Sequence, residues 1–94
     1  MNIRFYLDPE TGQPHIYKHG VEEIEVEEVL KRTREDRPGQ EGSRVAIGQT
    51  LSGRTLRVIY VSDPDPNGVF VITAYELKGK PLAAFRRRRR RKKK

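Results

Sequence analysis

The sequence predicts a small α+β domain with a separate cationic end, and three observations carry that reading. One segment repeats apolar residues at helical spacing, and three later segments are β-branched and divided by tight turn chemistry. The last nine residues are all Arg or Lys. Residues 1–85 therefore read as a single domain and residues 86–94 as a polybasic tail. The expected architecture is a small antiparallel sheet, a three-stranded meander plus an N-terminal strand or hairpin, packed with one main helix.

Residues 2–7 are β-branched and aromatic, which suits a strand. Asp8, Pro9 and Gly12 supply a turn, and residues 14–19 then return as a second short strand to close a hairpin. A helical lead-in is the competing reading of 14–19, and Gly12 and Pro14 speak against it. Gly20 breaks the element. Residues 21–33 follow as a helix, because Val26, Val29 and Leu30 fall on one stripe at i, i+3 and i+4. Glu22, Glu23 and Glu25 crowd its start while Lys31, Arg32 and Arg34 crowd its end, an order that complements the helix dipole. Glu27 and Lys31 are spaced to pair.

Pro38, Gly39 and Gly42 make residues 35–42 an expected exposed loop. Residues 43–50, 54–62 and 69–77 are the meander strands. In the second of these, Leu56, Val58 and Tyr60 share one face, and Arg57, Ile59 and Val61 the other. The third is apolar on both parities, so both faces of the sheet need cover. The helix would supply one cover, and the C-terminal segment or a partner protein the other. Pro81 to Phe85 can open a short helix with Pro in its first turn. The cations beyond repel one another and offer nothing apolar to bury, so they are expected to be disordered.

Charge and composition exclude several classes. Of 20 Lys and Arg, nine lie in the terminal run, which leaves 11 cations against 13 acids, a net −2, in the rest of the chain. The formal +7 thus belongs to the tail. With no cysteine there is no disulfide framework and no Cys-based zinc knuckle. No apolar run is long enough to cross a membrane, and no secretory leader opens the chain, so a cytoplasmic protein is expected. The mean hydropathy of −0.83 owes much to the tail and the acidic helix.

Three stretches carry a family resemblance. Lys18-His19-Gly20-Val21 runs into an acidic helix ending Glu28-Val29-Leu30. Gly48-Gln49-Thr50-Leu51-Ser52-Gly53-Arg54 leads into an apolar strand, and Val71-Ile72-Thr73-Ala74 precedes a basic segment. In this order they resemble the BrnT-like bacterial toxins, and more closely a related family of small uncharacterised domains. The resemblance implies a RelE-like α+β fold and a type II toxin that cleaves RNA without a metal or other cofactor and is silenced by an antitoxin. The chain departs from the BrnT pattern after Ala74, where Tyr75 and Glu76 stand in place of the usual Arg.

Metal-independent RNA cleavage needs a base for the 2′-OH, a cation for the phosphorane and an acid for the leaving oxygen. Arg54 and Arg57 are the candidate phosphate stabilisers, since guanidinium matches phosphate bidentately. Arg57 interrupts an apolar strand, and an edge-facing Arg bridging to Glu76 or Asp63 is the competing reading. His19 is a candidate base or a structural residue at the helix start. Tyr75 would stack on a base, act as an acid or sit half-buried in the core, and Glu76 is a further candidate base. His15 and His19 share a face only if their segment is helical; with no cysteine and no third ligand nearby, no metal site is expected.

Residues Arg86, Arg87, Arg88, Arg89, Arg90, Arg91, Lys92, Lys93 and Lys94 are the candidate nucleic-acid contacts, acting through counterion release. RNA is the expected partner and DNA the alternative; membrane insertion is not expected. Besides a toxin-like ribonuclease, the residues allow a non-catalytic nucleic-acid-binding accessory domain or a protein-interaction module.

Overall fold

The computed structural model describes residues 2–64 and 67–92, with side chains described as far as Arg90. Five strands form one mixed sheet: β1 (Asn2–Phe5), β2 (Glu35–Pro38), β3 (Arg44–Gln49), β4 (Thr55–Ser62) and β5 (Gly68–Glu76), in the order β1-β5-β4-β3-β2. Helix α1 (Glu23–Lys31) packs on one face and helix α2 (Gly79–Lys92) on the other. This is the expected α+β fold, with the β3-β4-β5 meander at its centre. No helix among the described residues is long and apolar enough to cross a membrane.

The N-terminus departs from the expected hairpin. Strand β1 pairs in parallel with β5, from Asn2 opposite Gly68 to Phe5 opposite Val71. The expected turn does form. The Asp8 carboxylate accepts the Glu10 N–H at 2.9 Å, and a single bridge joins Leu7 to Pro14. The return is a 3₁₀ helix, His15–His19, ending at Gly20 with φ 68°, a left-handed conformation that glycine adopts freely. Ile16 is the reason a strand loses here. The tight turn drops its side chain into the core under α1 while Tyr17, Lys18 and His19 stay exposed.

Helix α1 is shorter than residues 21–33 but keeps the expected stripe. Val26 and Val29 are fully buried and Leu30 packs beside them. Glu22 and Glu25 form a capping box at its start, and the Glu27–Lys31 pair closes at 3.1 Å. The helix lies close on β3 at Gly48, where an added Cβ would stand 3.2 Å from the Arg32 carbonyl oxygen and 3.3 Å from Val29 Cγ1.

The expected loop 35–42 contains an edge strand. Strand β2 pairs antiparallel with β3, Glu35 opposite Ile47 through Pro38 opposite Arg44. A proline and a row of charges suit an edge, where half the backbone groups face water. Asp36 ties it to the sheet by accepting from the Tyr60 hydroxyl at 2.6 Å and the Arg44 guanidinium at 3.0 Å.

The two apolar parities of β5 are explained by a bulge. Ile59 pairs with Thr73 and Tyr60 with Val71, so Ile72 is skipped and the strand changes phase. Val71 and Ala74 therefore both join the α1 core with Leu56 and Val58. On the opposite face, Ile47 and Leu77 are buried with Phe85 of α2, and Tyr75 and Leu82 pack beside them.

The cationic run corrects the expectation of disorder: α2 continues through it to Lys92. Leu82 and Phe85 anchor the first turns on the sheet, and the next turn brings Arg88 onto Glu35, with two bonds of 2.8 and 2.9 Å. Once a helix is nucleated, each further residue adds a hydrogen bond for one fixed residue, and cations suit a helix C-terminus. Lys93 and Lys94 lie outside the described residues, as do Asp65 and Pro66 of the turn expected before β5.

Candidate functional site

The five body residues singled out in the sequence divide between the two faces of the sheet. Arg54 and Glu76 lie on the α1 face. The Arg54 guanidinium donates to both oxygens of Glu25 at 2.7 and 2.8 Å, to Glu76 at 3.2 Å and to the Gly20 carbonyl at 3.1 Å. The two carboxylates, Glu25 first, raise the guanidinium pKa above its ordinary value, and the group is permanently charged. Its Nε and one Nη nitrogen are bonded within the fold, so Arg54 acts as a bolt joining α1, β4 and β5. Glu76 is held in the same network.

Arg57, Tyr75 and His19 meet on the other side. Arg57 stands opposite Tyr75 in the sheet and beside Ile47, which puts it on the α2 face. One guanidinium N–H donates to the Tyr75 hydroxyl at 3.3 Å, and the group lies 5.9 Å from the centre of that ring. The expected bridge to Glu76 or Asp63 is absent: Glu76 holds Arg54, and Asp63 holds Arg4 at 2.6 Å. The buried Nε of Arg57 has no hydrogen-bond partner among the described residues, nor does the buried hydroxyl of Thr73. Thr73 faces the same way, because it pairs with Ile59, two residues beyond Arg57.

His19 packs edge-on against Tyr75 with ring centres 5.9 Å apart, and His15 stands 5.4 Å beyond it. The 3₁₀ turn thus brings together two histidines that a strand would hold about 13 Å apart. Among the described residues no group of three His, Asp or Glu side chains is arranged to hold a metal ion. Asp8 instead anchors the segment. The Lys18 ammonium at 2.8 Å, the Glu10 N–H and His15 hold its carboxyl down to about 2.

Helix α2 makes its cations unequal. Arg86, Arg89 and Arg90 are spaced i, i+3 and i+4, so they share a stripe. With Arg34 they line a cleft of about 370 Å³. Gln49, Thr55 and the buried ring of Phe85 complete its wall. No carboxylate lines this cleft, and among the described residues none of its four guanidiniums is paired with an acid. Arg88 is spent on Glu35, and Arg87 points away into solvent. The side chains of Arg91, Lys92, Lys93 and Lys94 lie outside the description. A wider groove of about 630 Å³ beside Tyr17 and Ile24 carries Glu22 and Glu23 on its wall and does not suit an anion.

Sequence reasoning missed Arg34, Gln49 and Thr55 as members of this cleft. Arg34 had an adequate explanation as a helix-end charge, and nothing local links any of them to residues 86–90.

The stretch from residue 15 to residue 76 matches the model of a family described as a domain of unknown function, DUF4258. The chain belongs to that family. No curated protein and no solved structure matches it. The DUF4258 match takes in His19, Arg54, Arg57, Tyr75 and Glu76, and the cationic helix lies outside the matched stretch.

Proposed function

We propose that the protein engages RNA in the cytoplasm, holding the phosphate backbone with helix α2 and Arg34. The observation that carries this is the cleft of four guanidiniums with no acid among its lining residues, on a body whose remaining charge is net negative. Phosphate contacts of this kind position a nucleic acid without reading its sequence. RNA is preferred to DNA on the resemblance to BrnT-like toxins. Deleting residues 86–94 is expected to abolish retention of single-stranded RNA at low salt. Equal binding by the truncated body would overturn the proposal.

A second reading, a toxin-like ribonuclease silenced by an antitoxin, is favoured by the Arg57 Nε, which has no hydrogen-bond partner among the described residues, beside Tyr75 and His19. In that scheme His19 takes the proton of a 2′-OH and the 2′-oxygen attacks phosphorus. Arg57 stabilises the phosphorane charge. The bond to the 5′-oxygen breaks as that oxygen takes a proton from the Tyr75 hydroxyl, leaving a 2′,3′-cyclic phosphate and a 5′-OH. Arg54 and Glu76, bound to each other, have no part in it. Arg57→Ala and His19→Ala should each slow cleavage by at least about a hundredfold. Unchanged rates, or intact growth and RNA on induced expression, would remove this reading.

A further inference from the structure

We infer that the arginine cleft is a site for a phosphate monoester, the terminal phosphate of a nucleotide, and not merely a stretch of cationic surface. The inference rests on α2 being the RNA-binding element and goes further, because it selects an end of the chain over its interior. A helix sorts the cations that a disordered tail would present alike: Arg86, Arg89 and Arg90 turn toward the cleft, Arg88 is neutralised by Glu35, and Arg87 stays outside. Arg34, from the connection between α1 and β2, closes the group with a cation that is remote in sequence. Coulomb attraction scales with ligand charge, so four guanidiniums in one cleft favour a dianion over the single charge of a backbone diester. Guanidinium forks also match the oxygens of a terminal phosphate bidentately.

The wall suits the rest of a nucleotide. Gln49 adds an amide and Thr55 a hydroxyl, while the buried Phe85 ring gives an apolar floor. The volume, about 370 Å³, lies within the span of small-molecule sites and exceeds what a bare phosphate needs. Thr55 and Arg57 are two residues apart on β4 and share a face, so the cleft opens about 7 Å along the strand from Arg57.

The test uses the full chain and one oligoribonucleotide prepared with a 5′-phosphate, a 3′-phosphate or hydroxyl ends, its binding followed by fluorescence anisotropy. A phosphorylated end should bind about tenfold tighter than hydroxyl ends. Arg34→Ala and Arg89→Ala should erase that preference, whereas Arg87→Ala, which removes the same charge outside the cleft, should keep it. Equal affinity for all ends would overturn the inference and leave the RNA reading standing, as would equal loss from Arg87→Ala and Arg89→Ala. Adenosine 5′-monophosphate and inorganic phosphate, titrated by calorimetry, separate the sources. If they bind in an Arg34-dependent way and no oligonucleotide does, the phosphate site stands and the RNA reading falls.

Discussion

Arg54 and Arg57 lie three positions apart, and the sheet gives them opposite tasks. Arg54 is buried to the extent that its side chain keeps 28% of its exposure, against 15% for Glu25, and it serves two carboxylates at once. Removing it leaves both acids facing each other across the α1–β5 seam. Breaking a partly buried network of this kind costs far more than losing an exposed pair. Arg54→Ala should therefore destabilise the fold by about 2 kcal/mol. In a thermal melt that is a drop of about 10 °C for a domain of this size. RNA affinity per folded molecule should stay unchanged, and a variant that melts normally but loses RNA would return Arg54 to the binding surface. Asp8 supplies a pH prediction. Its folded pKa of about 2 lies below the ordinary 3.8, so its stabilisation is complete above about pH 4 and is lost as pH falls toward 2. In urea titrations across that range, Asp8→Asn should show a smaller acid loss than the natural chain; equal losses would mean that other carboxylates govern acid unfolding. At this scale the sequence spoke clearly about Arg57, because a lone charge in an apolar strand requires an explanation. It did not reveal the partner, a tyrosine hydroxyl on the neighbouring strand, because the β5 bulge that sets the facing leaves no sequence signature.

The elements that were legible are those whose evidence is local. Helix α1 announces itself through a valine stripe, ordered charges and an i,i+4 pair, and the meander through apolar strands and dense turns. Strand β2 has no such pattern. It is a short charged edge whose existence depends on the unpaired side of β3. The 3₁₀ turn was hidden for a related reason, since the need to bury Ile16 beneath α1 is a tertiary demand. Helix α2 is the sharpest case. Like charges at i,i+4 argue against it locally, and what holds it is Phe85 in the core and Glu35, 53 residues earlier. Glu35→Gln should then loosen the cationic half while leaving the body folded. Far-ultraviolet circular dichroism would show a loss of about two turns of helix, and amide exchange at residues 86–90 should speed up at least about tenfold. Unchanged protection there would mean that Leu82 and Phe85 alone hold the helix down.

At the scale of the molecule, the formal charge of +7 is unevenly placed: five glutamates stand in α1 or at its start on one side of the sheet, and the arginines of α2 on the other. Such a body steers a polyanion onto one face and repels it from the opposite one. Because binding by cations releases counterions, its salt dependence reports how many are engaged. The described, acid-free cations on this face are Arg34, Arg86, Arg89 and Arg90. For a single strand each phosphate neutralised contributes about 0.7 to the slope of log K against log salt. Four such contacts give a slope of about −2.8, and each further engaged cation steepens it by the same step. Glu35→Gln should steepen it by about 0.7, because Arg88, released from its acid, becomes one more free cation. The same change would be expected to do nothing if the run behaved as a free chain of equal charges. Anisotropy titrations between about 0.05 and 0.2 M salt distinguish the two. A slope for the natural chain shallower than about −1 would show that the arginine face is not where RNA binds.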